Sequence, residues 1–281
     1  MKLNCRGQVL DLDRRTFIMG VINCTPDSFY AGSRCPGPDS AIELGVKMVA
    51  EGADLLDIGG ESSRPGAEPV SEREELRRVI PVIEGLMKAV DVPLSIDTYK
   101  AGVAEAALEL GAHIINDITA LRGDDRMAAI VAQFDAPVVL MHMKGAPQNM
   151  QVNPSYDDVL SEVTLFLQQR IDYAVENGIP FQNIVIDPGI GFGKRIKDNY
   201  HLLQYLDKFA NINRPILVGP SRKSFIGKTL GLCPEESLTG TIAAAAAAIL
   251  NGAHILRMHD VKEGKNTAHI TDLIKGKKQL K

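Results

Sequence analysis

Residues 17–22, Phe17-Ile18-Met19-Gly20-Val21-Ile22, form an unbroken apolar run that stops at the carboxamide of Asn23. The run does not alternate polar with apolar, so a strand here would be buried on both faces, as in a parallel sheet. Runs at 55–58, 93–96, 114–115, 138–141, 184–186, 216–218 and 255–256 repeat the theme. Each stops at or beside a polar residue, a loop follows, and a segment of helical length comes next. Helical candidates include 71–88, 101–110, 157–177 and 239–250, the first opening with Ser71 and Glu74 as a capping box. The alanine run 243–248 suits a helix packed closely against a sheet, since alanine favours helix and adds no bulk.

Eight strand–helix units with no break in composition predict an α/β fold, one (β/α)8 TIM barrel spanning 1–281 as a single domain. Arg6-Gly7-Gln8 between short alternating runs predicts a small N-terminal hairpin that closes the bottom of the barrel. Hydrophobic residues at 45% and charged residues at 23% allow a large core and argue against disorder. Thirty-one basic against thirty-five acidic residues give a net charge of -4, which excludes the dense basic face of a nucleic-acid binder. Four cysteines at 5, 24, 35 and 233 form no metal-binding pattern, and Cys24 and Cys35 read as thiols in a reducing compartment. The start of the chain has no signal-peptide pattern, and no stretch reaches the roughly 18 apolar residues of a membrane span. The expectation is a cytoplasmic protein with no membrane or nucleic-acid partner.

The polar strand ends are Asn23, Asp57, Asp97, Asn116 with Asp117, His142 and Asp187, then Gly219 leading to Ser221-Arg222-Lys223, and Arg257 with His259. In a parallel barrel such residues converge on one cavity. Asp97, Asn116 and Asp187 offer acceptors and an amide for a flat heterocycle rich in N–H groups. Lys223, Arg257, His259 and Arg64 offer positive charge for phosphate or carboxylate. Asn23 and Asp27 are hard oxygen ligands suited to Mg²⁺. Together they suggest a heterocycle that carries a diphosphate. Gly227-Lys228-Thr229 imitates the end of a P-loop, but Arg222 stands where its first glycine belongs. Gly189-Ile190-Gly191-Phe192-Gly193-Lys194 reads as a flexible loop over a ligand.

These motifs also carry a resemblance. Met19-Gly20-Val21-Ile22-Asn23-Cys24-Thr25-Pro26-Asp27-Ser28-Phe29 and Asp57-Ile58-Gly59-Gly60-Glu61-Ser62-Ser63-Arg64-Pro65-Gly66-Ala67 resemble the first two signatures of the dihydropteroate synthases. Ser95-Ile96-Asp97-Thr98, Ile115-Asn116-Asp117-Ile118, Leu140-Met141-His142-Met143, 187–194, 219–223 and 257–261 follow in family order. The resemblance implies a homodimeric TIM-barrel transferase of folate biosynthesis that is a sulfonamide target. It joins 6-hydroxymethyl-7,8-dihydropterin diphosphate to para-aminobenzoate with Mg²⁺, releasing pyrophosphate. It places the pterin against Asp97, Asn116, Ile118, Met141, Asp187, Gly219 and Lys223. It places the diphosphate at Asn23, Ser63, Arg257 and His259, with the metal at Asn23. Para-aminobenzoate falls to Phe29, Ser63, Arg64, Pro65, Phe192, Lys223 and Ser224. The catalytic set is then Asn23, Asp27, Arg64, Asp97, Lys223, Arg257 and His259, with loops 25–37 and 59–70 closing over the site.

Two positions depart from the family pattern. Ala31 stands where the first loop usually has an aspartate, and Ser63 replaces a threonine while keeping the hydroxyl. The alternatives are a methyltetrahydrofolate-type pterin-binding methyltransferase and a non-catalytic pterin-binding homologue, the latter suggested by Ala31.

Overall fold

The computed structural model describes residues 1–25, 37–64 and 66–277. Eight parallel strands form its centre: β3 (Phe17–Asn23), β4 (Leu55–Gly59), β5 (Leu94–Asp97), β6 (Ile114–Asp117), β7 (Val138–Met141), β8 (Ile184–Asp187), β9 (Leu217–Val218) and β10 (Ile255–Met258). They pair in the order β8-β7-β6-β5-β4-β3-β10-β9, and a parallel bridge from Ile186 to Ile216 joins the two ends into a barrel. Helices packed outside include α1 (Pro38–Ala50), α2 (Glu72–Ala89), α3 (Ala101–Glu109), α4 (Met127–Gln133) and α5 (Val159–Glu176). α6 (Ile196–Gln204), α7 (Ser224–Leu230), α8 (Leu238–Leu250) and α9 (Val261–Ile274) complete the described ring.

The expected hairpin is present. β1 (Lys2–Cys5) and β2 (Gln8–Asp11) pair antiparallel with Leu3 opposite Leu10. Leu3, Cys5, Leu10 and Leu12 pack against Phe17, Leu55, Ile114, Val139, Val185, Leu217 and Ile255, so the hairpin plugs the barrel's bottom. The other strand face meets the helices: Ile18, Ile22, Leu56, Ile58, Leu140, Ile186 and Leu256 belong to the large outer core. Both faces are apolar, which is why the strand sequences do not alternate.

Two local expectations need correction. Ser71 caps α2 by accepting from the Glu74 N–H at 3.2 Å, but the Glu74 carboxylate turns to Arg77 and Arg78 at 2.8 Å rather than closing a capping box. An exposed glutamate one turn from two guanidiniums gains more from them than from a single backbone N–H. Of the alanines at 243–248 only Ala245 and Ala248 are fully buried; Ala244 and Ala247 line an outward groove of about 390 Å³ with Tyr200, Leu203 and Phe225. Close packing on the barrel therefore accounts for only part of the alanine run.

Candidate active site

Strand parity builds the site. Alternate side chains of a strand share a face, so the residue two positions beyond each plug residue also points into the barrel. Asp57 follows Leu55 in this way, Asn116 follows Ile114, Met141 follows Val139, Asp187 follows Val185, Gly219 follows Leu217 and Arg257 follows Ile255. Asp97 joins this row, paired in register with Gly59 on one side and Asn116 on the other. The barrel interior thus changes within one step from a sealed apolar plug to a ring of polar groups.

The same parity excludes two residues that the sequence had grouped with the cavity. Asp117 faces the other way, accepting from Thr119 N–H and Leu121 N–H at 2.7 and 2.8 Å, and so shapes the turn after β6. His142 packs edge-on against Phe166 of α5, ring centroids 4.8 Å apart.

The ring's charges are interlocked. Arg257 Nε donates to Asp57 Oδ2 at 2.6 Å and its Nη2 to Asp97 Oδ2 at 2.8 Å, while Asn116 Nδ2 donates to the same Asp57 oxygen at 3.0 Å. Burial works against the Arg257 charge, yet Asp57 and Asp97 more than restore it. Burial pushes Asp97 upward against the pull of Arg257. Burial likewise lifts Asp187 to about 6, opposed by the Gly189 N–H at 2.7 Å from its carboxylate. Lys223 is lowered to about 8 by burial and then by Arg257, and its ammonium lies 4.0 Å from the centre of the Phe192 ring.

Above this ring a cavity of about 300 Å³ is lined by Asn23, Ser63, Arg64, Phe192, Lys223 and Ser224. Arg257 and His259 reach the same space. Asp97 and Ile118 border an adjoining recess with Ser63. Ile118, Met141 and Phe192 pack into one apolar cluster with Met143 and Met150. Asn116, Met141 and Asp187 belong to the buried row, and Gly219 extends the β9 position beside Arg257. Asp27, Phe29, Pro65 and Ala31 lie outside the described residues, as does Cys35, while Cys24 is buried.

His259 departs from the expectation of a positive charge. Burial, followed by Arg257 and Lys223, pushes its imidazole down to about 3, so it is neutral near pH 7. Ser221 Oγ lies 2.9 Å from His259 Nδ1 and accepts from the His259 backbone N–H at 3.2 Å. Ser221, named with the Ser-Arg-Lys strand end, lines the cavity, as do Thr25, Ser62 and Met150, which were not assigned to the site; nothing local to Met150 marks it.

The glycine loop, expected to lie over a ligand, wraps a buried lysine. Lys194, 3% exposed, donates from Nζ to the carbonyls of Gly189 and Phe192 at 2.8 and 3.0 Å, and lies 3.3 Å from His142 O. Its Nζ is also 2.9 Å from His142 Nδ1. Burial lowers the ammonium to about 7, while these acceptors favour its charged form. Gly189 and Gly193 both have positive φ, at 69 and 61°. A side chain there would press a Cβ to within 1.9 Å of His142 O or 2.2 Å of Lys144 O. The glycines permit a tight fold around the buried Lys194 side chain.

Residues 19–259 match the family model of pterin-binding enzymes. The dihydropteroate synthase of Escherichia coli K12 is 43% identical over 281 residues, covering 100% of this chain and 99% of the relative. The Yersinia pestis dihydropteroate synthase solved with a sulfonamide drug superposes with a TM-score of 0.95 at 44% identity, covering 99% of this chain and 100% of that one. The Xanthomonas albilineans dihydropteroate synthase in complex with 7,8-dihydropteroate gives 0.87 at 42% identity, covering 98% of each chain. By sequence and fold alike, the chain belongs to the pterin-binding enzyme family, within the dihydropteroate synthases.

Proposed function

We propose that this chain condenses 6-hydroxymethyl-7,8-dihydropterin diphosphate with para-aminobenzoate, giving 7,8-dihydropteroate and pyrophosphate. The observation that carries the reading is the row of strand ends. It sets carboxylates and a carboxamide deep in the barrel and places cations and hydroxyls above them. Asp97, Asn116 and Asp187 accept from and donate to the pterin edge, with Ile118 and Met141 as apolar walls and Gly219 leaving room beside Arg257. Lys223 lies between the two subsites. Ser63, Arg64, Phe192 and Ser224 bound the aminobenzoate, with Phe29 and Pro65 assigned there by the family pattern alone.

In the reaction the bond from the pterin's exocyclic carbon to the diphosphate oxygen breaks and the aniline nitrogen bonds to that carbon, losing a proton. Positive charge grows on the pterin, facing Asp97 and Asp187, and negative charge grows on the leaving diphosphate. Arg257 supplies a fixed cation for that charge, and neutral His259 and the Ser63 hydroxyl supply hydrogen bonds. Walls such as Phe192 and Met150 keep water from competing with the aniline.

Mg²⁺ fits this donor set in a limited way. Among the described residues no group of three or more His, Cys, Asp or Glu converges on one point. Asn23 offers one hard carboxamide oxygen, which suits an ion that keeps waters and takes phosphate oxygens. When bound there, with Asp27 as a further donor, the metal supplies charge neutralisation for the diphosphate. The relative solved with a sulfonamide suggests that such drugs compete for the aminobenzoate subsite here too. We place the enzyme in the cytoplasm as a homodimer. No described helix is long and apolar enough to cross a membrane.

The test is pyrophosphate release from the pterin diphosphate with Mg²⁺, with and without para-aminobenzoate. Release that depends on para-aminobenzoate, with dihydropteroate as product, is expected. Pterin binding without turnover would overturn the reading in favour of a binding protein.

A further inference from the structure

We propose that Glu61 and Lys100 are positioning residues for the aminobenzoate half of the reaction, locking the Arg64 loop to the strand that carries Asp97. The proposal rests on the synthase reading above. Glu61 follows β4, and Tyr99 and Lys100 follow β5, so all three stand at the catalytic end of adjacent strands. The Lys100 ammonium pairs with both Glu61 and, from α2, Glu75. Tyr99 donates from its hydroxyl to Glu61 Oε1 at 2.7 Å, and the Val70 N–H points to Glu61 Oε2 at 3.4 Å. Glu61 begins the loop and Val70 ends it. One carboxylate therefore ties both ends of the segment that carries Ser63 and Arg64.

The cluster is built for position. The side chains of Glu75, Glu61 and Lys100 are 1, 10 and 14% exposed. Burial alone would lower the Lys100 pKa, but the hydrogen bonds to Glu61 and Glu75 raise it above the ordinary lysine value, so the ammonium stays charged. Burial and the bond to Glu61 lift the Tyr99 hydroxyl to about 12, so it remains a donor. A buried ion pair is a poor source of stability because desolvation offsets its attraction, whereas its geometry is well defined. Glu61, Glu75 and Tyr99 also share a recess of about 10 Å³ with Asp97 and Ser63. The strand end that meets the pterin and the loop that meets the aminobenzoate are thereby held in one frame.

The experiment is steady-state kinetics on the full chain, varying each substrate in turn, for Lys100→Met, Glu61→Gln, Tyr99→Phe and Lys100→Arg. Turnover by the wild type dependent on para-aminobenzoate comes first, and its absence would defeat the synthase reading rather than this one. Lys100→Met and Glu61→Gln should raise KM for para-aminobenzoate about tenfold while KM for the pterin diphosphate stays within about twofold. Lys100→Arg, which keeps the charge, should recover most of the loss. An unchanged KM for para-aminobenzoate, or equal rises in both, would overturn the proposal and leave the cluster a structural pin. Should Lys100→Met not fold, Tyr99→Phe removes only one hydroxyl and should still raise KM for para-aminobenzoate about threefold; no selective rise there would overturn it as well.

Discussion

Arg257 reaches across the barrel mouth to Asp97, Nη2 to Oδ2 at 2.8 Å, while its Nε holds Asp57 at 2.6 Å. One guanidinium thus pairs with a fully buried carboxylate from β4 and a partly buried one from β5. Under the proposed function the same guanidinium holds these two carboxylates in place and faces the leaving diphosphate.

Removing that cation should therefore be costly to the fold as well as to turnover. Arg257→Met leaves Asp57, which is fully buried, and Asp97 without their common partner. Breaking a buried pair in this way costs about 3–5 kcal/mol. Chemical denaturation should show a loss of that size. Arg257→Lys should restore only part of it, because an ammonium lacks the planar fork that meets two carboxylates together. Wild-type stability in Arg257→Met would show that the pairing does not matter to the folded state.

Asp187 should behave in the opposite sense. Burial raises its folded-state pKa to about 6, above that of an exposed aspartate. A group raised in this way stabilises the fold below the unfolded pKa, and that contribution is lost as pH rises through 6. At pH 8 the ligand-free enzyme carries an ionised carboxylate whose burial opposes folding. Asp187→Asn keeps an acceptor for the Gly189 N–H and removes the charge. It should stabilise the ligand-free protein at pH 8 by about 2–3 kcal/mol, with the gain fading towards pH 4. The same variant should lose pterin binding by calorimetry. A Tm at pH 8 at or below that of the wild type would contradict the assignment.

The fold was legible because every barrel strand presents apolar residues to two sides, which only a covered parallel sheet requires. The residues that end those strands were legible as candidates, and parity decides which of them face the barrel interior. Asn116 and Asp187 share a face with the plug residues Ile114 and Val185, whereas Asp117 and His142 have the opposite parity. The eight runs were in view, but the face that looked inward could be fixed only once the strands were paired. The role of Lys194 was hidden for another reason. Three spaced glycines before a lysine read as a flexible loop over a ligand, and only the three-dimensional path brings the His142 carbonyl to it. The neutral state of His259 likewise depends on Arg257 and Lys223, which are distant in sequence.

Lys223 should set the alkaline limit of binding. Burial and Arg257 lower it to about 8, so its positive charge is present below that pH and lost above it. In the free enzyme, kcat/KM for the pterin diphosphate should fall as pH rises through 8 and, through Asp187, as pH falls through 6. Lys223→Gln should lie about 100-fold lower and lose the alkaline limb while keeping the acid one. An alkaline limb that persists in Lys223→Gln would assign it to another group.

The last prediction concerns the cation under the glycine loop. Lys194 satisfies carbonyls at Gly189 and Phe192. Gly189 donates to Asp187 and the Phe192 ring lies under Lys223, which the proposed function assigns to the pterin and aminobenzoate subsites respectively. Lys194→Met is close in shape but offers no donor, leaving buried carbonyls unsatisfied at about 1–3 kcal/mol each. It should destabilise the protein by about 3 kcal/mol in all, and hydrogen exchange at residues 189–193 should accelerate even well below the denaturation midpoint. The barrel strands should exchange at rates set by global unfolding alone. Because the loop holds a residue of each subsite, both KM values should rise, unlike the selective rise expected for Lys100→Met. Exchange in 189–193 that remains as slow as in the wild type would mean that packing of Ile190 and Phe192 holds the loop without the lysine.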